Sequence, residues 1–342
     1  MKNEGWYFED LRTFKRVDNP VPEPLPEEVV IEVGYVGICG SDLHAYTGEH
    51  PLVSPGKILG HEFTGRITKI GDEVKDLKIG DNVVVEPSIS CGTCYNCTHG
   101  RYNICNELKV IGCVGHDGAF QHFVSVPAQK VYTLGEFSMK LATLTEPFAV
   151  GVHGVRRSSF KPGNEVLVIG AGPIGLFTAI FLHFSGAKKL VIIDLIDERL
   201  RFARDLIPGA ITIKPEEFRK DMFTFEGPDL IFECVGTDAT MNTAIESARK
   251  GTEILLVGVP PAISNVKMIY VQDRELKITG SLMYVKEDFL VAMDLLEKGM
   301  VDFDKIVTGV YAFDELPEAF EYTLSNKAKC IKTLIRVGDF VD

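Results

Sequence analysis

The chain has 342 residues, of which 45% are hydrophobic and 25% are charged, and these proportions are typical of a soluble globular protein. Its length is greater than one ordinary hydrophobic core needs and indicates two domains. The formal net charge of -12 argues against a nucleic-acid partner, whose phosphates require a basic surface, and gives no reason to expect an anionic membrane.

The N-terminal residues and the longest apolar run give a cytoplasmic location as the expectation. The first twenty residues (MKNEGWYFEDLRTFKRVDNP) contain no apolar segment that would predict a signal peptide. The longest apolar run (VLVIGAGPIGLFTAIFLHF) is interrupted by glycines and a proline, which favours a buried strand and helix over a membrane span. Because a cytoplasmic compartment keeps thiols reduced, the eight cysteines are not expected to form disulfides. Cys113, Cys234 and Cys330 stand singly and are interpreted as buried structural thiols.

Three kinds of pattern follow one another along the chain. Residues 1–147 contain short alternating segments (EEVVIEVGYVGI, HEFTGRITKIG, DNVVVEPSI, FQHFVSVPAQKVYTL) separated by turns, which predicts a mostly β unit. From residue 148 strands alternate with helices, which predicts βαβ units and a parallel sheet. After about residue 285 the pattern predicts two amphipathic helices and a final strand, CIKTLIRV. The strands predicted in the parallel sheet are 165–170, 188–194, 229–236 and 252–259.

Three short segments carry the donors of a candidate catalytic metal site: GICGSDLH (37–44), GHE (60–62) and LTEP (144–147). They offer a thiolate from Cys39, an imidazole from His61 and carboxylates from Glu62 and Glu146. Three protein ligands with a replaceable water are the pattern of a catalytic zinc site. The glycine-rich loops around Cys39 and His61 argue against an ordinary core role for these two residues.

Four further cysteines lie within fifteen residues, in the segment CGTCYNCTHGRYNIC. Two-residue gaps allow neighbouring thiolates to converge on one ion, and four sulfurs complete a tetrahedron with no open position. The spacing fits neither common ferredoxin pattern. It therefore predicts a structural zinc ion bound by Cys91, Cys94, Cys97 and Cys105.

A dinucleotide-binding loop is predicted where a strand meets a helix, in the segment GAGPIG (170–175). Gly170 and Gly172 allow a sharp turn close to a pyrophosphate, and Gly175 allows close packing of the helix on the strand. Asp194 ends the next strand and is placed to accept hydrogen bonds from the adenosine ribose, which favours NAD over NADP. Arg199 lies nearby and either weakens that preference or stacks on the adenine.

The ordered set GICGSDLH, GHEFTG, CGTCYNC, TEPFAVGVHG, VLVIGAGPIG and VIID resembles the zinc-containing medium-chain alcohol dehydrogenase family, in particular its sorbitol/polyol and butanediol dehydrogenase branch. The resemblance implies an α/β protein with a GroES-like β-rich catalytic domain and a doubly wound, parallel-sheet Rossmann coenzyme domain. The catalytic domain would comprise residues 1–147, with the structural zinc lobe, completed by 288–342. The coenzyme domain would comprise residues 148–287.

The resemblance also implies roles for individual residues. Cys39, His61 and either Glu62 or Glu146 would bind the catalytic zinc, and relatives differ in which glutamate binds directly. Asp42 would orient the zinc-bound histidine, and Ser41 with His44 would form a proton relay, although His44 is alternatively an ordinary loop histidine. Coenzyme contacts would include Pro173, Ile174, Val235, Gly236, Val257, Gly258, Val259, Ser281, Leu282 and Met283.

The resulting hypothesis is a zinc-dependent enzyme that transfers hydride from a secondary alcohol or polyol to NAD and yields a ketone. Relatives that act on sorbitol commonly have an arginine where this chain has Met283, which favours a shorter diol or a less oxygenated alcohol. L-threonine, sugar acids and cyclitols remain alternative substrates. A zinc-free quinone or enoyl reductase, or a non-catalytic nucleotide binder, is a further alternative. Family analogy suggests a homodimer or homotetramer.

Overall fold

The structure, a computed structural model, describes residues 2–339. The chain divides into two compact units, one formed by Met1–Glu146 with Met293–Asp342 and the other by Pro147–Ala292. The domains predicted from the sequence divide the chain at nearby positions, and their assignment as catalytic and coenzyme domains stays a prediction. Their outermost residues, 1 and 340–342, lie outside the described residues.

The α-helices of the described residues range from single turns to more than three turns. They are α1 (Gly40–Thr47), α2 (Tyr95–Thr98), α3 (Met139–Ala142), α4 (Thr145–Arg157), α5 (Pro173–Phe184), α6 (Asp197–Leu206), α7 (Asp238–Ser247), α8 (Met268–Asp273), α9 (Lys286–Glu297) and α10 (Leu316–Ser325).

The first unit is built mainly from β-strands, as the alternating segments predict. Its strands are β1 (Lys2–Asp10), β2 (Thr13–Pro20), β3 (Glu28–Ile38), β4 (Lys57–Ile58), β5 (Glu62–Ile70), β6 (Asn82–Val85), β7 (Ser88–Ile89), β8 (Lys109–Ile111), β9 (Gly115–His116), β10 (Phe123–Pro127), β11 (Val131–Thr133), β18 (Val307–Ala312) and β19 (Lys332–Arg336).

The largest sheet of this unit has the order β11-β6-β5-β3-β19-β18, with β10 also paired to β3. The C-terminal strand β19 lies antiparallel to β3, so the end of the chain completes the sheet formed by the first 133 residues. Fully buried side chains such as Val33, Phe63 and Phe120 form its core. β5 lies on the other side of β3, so β3 pairs with one strand that begins at Glu62 and another that begins at Lys332.

One predicted strand is two strands in the structure. The segment DNVVVEPSI forms β6 in the large sheet and β7 in a separate sheet of order β7-β8-β9. Pro87 separates them because it has no N–H to continue a ladder. The small sheet leads directly into the four-cysteine segment.

The second unit contains a six-stranded parallel sheet of order β14-β13-β12-β15-β16-β17. Its central strands are continuous apolar runs because helices cover both faces of such a sheet. The order is that of a doubly wound dinucleotide-binding fold, which confirms the predicted fold class. The strands are β12 (Glu165–Ile169), β13 (Lys189–Ile193), β14 (Ile211–Ile213), β15 (Leu230–Glu233), β16 (Glu253–Leu256) and β17 (Lys277–Gly280).

Among the described residues, 2–339, the helices are all too short or too polar to cross a membrane. This agrees with the interpretation of the longest apolar run, which forms β12 and α5.

Candidate active site and metal centres

Cys39, His61 and Glu62 converge at neighbouring ends of β3 and β5. Cys39 directly follows β3, and His61 directly precedes Glu62, the first residue of β5. One potential metal-binding atom from each of the three residues lies within 4.8 Å of the others. Gly37 pairs with Glu62 in the ladder, and a Cβ atom at Gly37 would lie 2.1 Å from Oε2 of Glu62. Glycine is therefore required at residue 37 to accommodate the carboxylate.

Asp42 holds the turn that presents Cys39. Its Oδ2 accepts a hydrogen bond of 2.9 Å from the backbone N–H of Cys39, at the beginning of α1. Its Oδ1 lies 3.5 Å from Nδ1 of His61 and has no hydrogen-bond partner within residues 2–339. The Sγ atom of Cys113 lies 3.4 Å from the same nitrogen. The sequence interpretation of Cys113 as a purely structural thiol did not place it beside His61.

Lys332 is a second residue whose position the sequence analysis did not predict. It begins β19, is 2% exposed, and donates hydrogen bonds of 2.7 Å to both carboxylate oxygens of Glu62. Burial lowers the pKa of Lys332, but the negative charges of Glu62, Cys39 and Glu146 outweigh this effect and raise it. The only available signal was a lysine inside the apolar segment CIKTLIRV.

The charges around His61 suit a metal cation. Burial lowers the pKa of His61, but Cys113, Asp42 and Cys39 outweigh it and raise the pKa well above its ordinary value. Surroundings that favour an imidazolium cation also favour a divalent ion. Sulfur, imidazole nitrogen and carboxylate oxygen are together the donor set that zinc accepts.

The other predicted catalytic residues lie outside the donor group of Cys39, His61 and Glu62. Glu146 lies in the first turn of α4 and is 6% exposed, and its charge raises the pKa of Lys332. It does not belong to the donor groups found among the described residues. Ser41 is half-buried and His44 is exposed on α1, and within residues 2–339 no side-chain hydrogen bond joins them.

The four cysteines of the predicted structural zinc site form one cluster. Neighbouring Sγ atoms are separated by 3.5 Å (Cys94 to Cys97, Cys91 to Cys105) or 3.9 Å (Cys91 to Cys97, Cys94 to Cys105). A tetrahedral zinc ion with Zn–S bonds of about 2.3 Å would separate its sulfurs by about 3.8 Å. All four thiols are free, so the cluster fits a zinc ion and contains no disulfide.

Backbone N–H groups and burial shift the pKa values of the thiols in this cluster. N–H groups of Thr93 and Cys94 lower the pKa of Cys91 to about 6. Burial and the neighbouring sulfurs raise the pKa of Cys97 to about 11. The cluster therefore carries thiolate at neutral pH, and binding of a cation releases the remaining protons.

The predicted dinucleotide loop has the required close approaches. Gly170 has a φ of 101°, a conformation that glycine adopts without steric cost. A Cβ atom at Gly175 would lie 1.9 Å from the carbonyl oxygen of Gly170. Gly172 is the N-cap of α5, Pro173 is its first residue and Ile174 follows, so the loop leads into a helix N-terminus suited to a phosphate.

Asp194 fixes this loop through both of its carboxylate oxygens. Oδ2 accepts a hydrogen bond of 2.7 Å from the N–H of Ala171, and Oδ1 accepts one of 2.9 Å from the N–H of Ile196. Arg199 lies 4.0 Å from Oδ2 of Asp194, and a Cβ atom at Gly172 would lie 3.5 Å from its guanidinium. The arginine is therefore positioned beside the glycine loop.

Two adjacent loops at the carboxyl ends of β15 and β16 contain most of the other predicted coenzyme residues. The buried carboxylate of Glu233 accepts hydrogen bonds from the N–H groups of Val235 and Gly236, of 2.9 and 3.0 Å. Its carbonyl oxygen accepts hydrogen bonds from the N–H groups of Val257 and Gly258. Glu233, which the sequence analysis did not single out, thus holds both loops.

Exposed apolar side chains mark the same edge of the parallel sheet. Val235, Val259 and Leu282 are 43%, 55% and 51% exposed, and a bound coenzyme would cover such a surface. The Oγ atom of Ser281 is buried without a hydrogen-bond partner within residues 2–339. Met283 has a φ of 49°, an uncommon conformation for a residue other than glycine.

Two family models match the chain. Residues 25–136 match the alcohol dehydrogenase GroES-like domain, and residues 173–298 match the zinc-binding dehydrogenase domain. The matches contain the four-cysteine cluster and the beginning of α5, respectively.

Whole-chain relatives agree with these matches. The chain is 33% identical to a protein named probable D-xylulose reductase A from Aspergillus clavatus, over 98% of this chain and 96% of that protein. It is 33% identical to sorbitol dehydrogenase from Bacillus subtilis, over 95% of both. An Escherichia coli alcohol dehydrogenase solved with NADH has a TM-score of 0.90 and 29% identity, covering 98% of this chain and 99% of that one. The chain belongs to the zinc-dependent medium-chain alcohol and polyol dehydrogenase family, whose members are oxidoreductases acting on CH–OH groups.

Proposed function

We propose that this protein oxidises a secondary alcohol or polyol to a ketone and reduces NAD. The observation that carries the proposal is the convergence of Cys39, His61 and Glu62 in a chain that also has a dinucleotide loop. A protein that only binds nucleotides has no need of this donor group, and neither does a zinc-free reductase. The relatives named for xylulose and sorbitol support a polyol substrate.

Cys39, His61 and Glu62 would hold the catalytic zinc, and the four-cysteine cluster would hold a structural zinc. When bound, the catalytic ion supplies a Lewis acid that lowers the pKa of a substrate hydroxyl. We assign Glu62 as the ligand because its carboxylate belongs to the donor group. Glu146 would remain beside the ion, where its charge also acts on Lys332.

The chain's own side chains would position the substrate and remove its proton. Ser41 would accept the proton of the substrate hydroxyl while releasing its own toward His44, and the exposed imidazole of His44 would pass a proton to solvent. Asp42 would keep Cys39 in place through the hydrogen bond to its N–H. Ser41, Asp42 and His44 all lie on α1, whose N-cap is Cys39.

The coenzyme would bind with its pyrophosphate at the beginning of α5 and its adenosine ribose at Asp194. Bound NAD supplies the hydride acceptor. The carboxylate of Asp194 would repel a 2′-phosphate and so favour NAD, while Arg199 would cover the adenine. We assign the predicted catalytic domain to the first unit and the coenzyme domain to the second.

The residue at position 283 favours a short substrate. Met283 offers no charged or hydrogen-bonding group to a distant hydroxyl, which favours a short diol over a long polyol. Sugar acids, cyclitols and threonine are the second group of candidates. We also propose a cytoplasmic homodimer or homotetramer, by analogy with the family.

Replacement of Cys39 tests the catalytic zinc. Cys39→Ser should lower the zinc content from about two ions to about one per chain and abolish NADH formation, because the thiolate ligand is lost. Binding of NADH, followed by fluorescence, should persist. Cys330→Ala, a change at a buried cysteine outside all three donor groups of the described residues, should retain zinc and activity. Near-normal turnover by Cys39→Ser would contradict the proposal.

Removal of the charge at residue 194 tests the coenzyme preference. Asp194→Asn should lower kcat/KM for NAD by about 10- to 150-fold and raise kcat/KM for NADP, because a charged hydrogen bond to the ribose contributes about 1.5–3 kcal/mol. The ratio of the two kcat/KM values is the measurement. Asp197→Asn, at an exposed carboxylate, is the matched control. An unchanged ratio in Asp194→Asn would show that this carboxylate does not select the coenzyme.

Replacement of Lys332 tests whether the metal and the lysine share the charge of Glu62. Lys332→Met should lower the free energy of unfolding by about 3–5 kcal/mol in a Cys39→Ser background, because a buried carboxylate loses its cation. With zinc bound, the loss should be less than half as large. Chemical denaturation of both backgrounds measures the difference.

An exposed ion pair provides the control for this experiment. Lys305→Met removes the partner of Asp302, whose side chain is 55% exposed, and should change stability by less than about 1 kcal/mol. Equal losses for Lys332→Met in the two backgrounds would mean that no metal acts on Glu62.

A further inference from the structure

We propose that Cys113 is a positioning residue for His61: its sulfur accepts the Nδ1–H and leaves Nε2 to bind the metal. The inference rests on the proposed function, since it concerns a ligand of the catalytic zinc. A histidine that binds zinc through one nitrogen requires a fixed acceptor for the proton on the other. The sequence analysis interpreted Cys113 only as a structural thiol and gave it no part in the metal site.

The distances around His61 favour the sulfur as this acceptor. The Sγ atom of Cys113 lies 3.4 Å from Nδ1, within the range for a hydrogen bond to sulfur. Oδ1 of Asp42 lies 3.5 Å away, which is long for a hydrogen bond to oxygen, and it makes none. The other oxygen of Asp42 is occupied by the N–H of Cys39.

The backbone fixes the position of Cys113 relative to His61. A Cβ atom at Gly112 would lie 2.3 Å from the carbonyl oxygen of Gly60, so the two backbones are in close contact one residue before each side chain. The carbonyl oxygen of Cys113 accepts a hydrogen bond of 3.0 Å from Lys57, and its N–H donates one of 2.9 Å to Val110. The loop between β8 and β9 therefore places the sulfur of Cys113 beside the imidazole of His61.

This arrangement pairs Nδ1 of His61 with the sulfur of Cys113 and leaves Oδ1 of Asp42 nearby without a hydrogen bond. Sulfur accepts a weaker hydrogen bond than a carboxylate, so the imidazole is a less basic ligand than one whose Nδ1–H is accepted by Asp42. Removal of the sulfur should leave the ring free to turn toward Asp42 or to rotate. The catalytic zinc should then bind less tightly, while the four-cysteine site is unaffected.

The test compares Cys113→Ala and Cys113→Ser in the full-length, zinc-loaded protein. Zinc retained in the presence of a competing chelator gives the affinity of each site, and the visible spectrum of the cobalt-substituted protein reports the ligand geometry. Cys113→Ala should weaken the catalytic site by about 10–100-fold and change the cobalt spectrum. Cys113→Ser, whose hydroxyl still accepts a hydrogen bond, should recover most of the affinity. Cys330→Ala is the matched thiol control.

The possible results separate this inference from the proposed function. Unchanged zinc affinity and cobalt spectrum in Cys113→Ala would overturn the inference and leave the catalytic zinc in place. Equal weakening by serine and alanine would also overturn it, because packing and not an acceptor would then be the cause. A third metal ion bound by the unmodified protein but lost in Cys113→Ala would show that the thiol is itself a ligand. Absence of a second zinc in the unmodified protein would contradict both proposals.

Discussion

The buried carboxylate of Glu62 is the constraint on which the candidate active site depends. A charge that is taken out of water must be compensated by cations or hydrogen-bond donors. Lys332 supplies two hydrogen bonds of 2.7 Å, and potential metal-binding atoms of Cys39 and His61 lie within 4.8 Å of the carboxylate. The pairing of β3 with both β5 and β19 brings these groups together. The sheet thus determines where the candidate metal ligands meet.

Carboxylates at the ends of parallel strands also shape the coenzyme loops. Asp194 accepts the N–H groups of Ala171 and Ile196, and Glu233 accepts those of Val235 and Gly236. In each case an acid at the end of a parallel strand fixes the backbone of the following loop. A bound coenzyme would therefore meet loops that are already positioned, which reduces the entropy lost on binding.

The sequence predicts the features that depend on local spacing. The four-cysteine cluster and the loop from Gly170 to Gly175 are read from short intervals, and the structure forms both as expected. Contacts between distant segments are different. Lys332 is 270 residues from Glu62, and Cys113 lies 52 residues from His61. Their proximity depends on strand pairing and on a close approach of two glycines, neither of which leaves a spacing pattern in the sequence.

The most direct test of the account is the zinc content of the purified protein, measured together with NADH formation from sorbitol, xylitol, 2,3-butanediol, threonine and inositol. We expect about two zinc ions per chain and NADH from one class of substrate, with a diol or short polyol preferred over threonine. About one chelation-resistant zinc ion, with no NADH from any of these compounds, would contradict the account and leave only a zinc-stabilised nucleotide-binding protein.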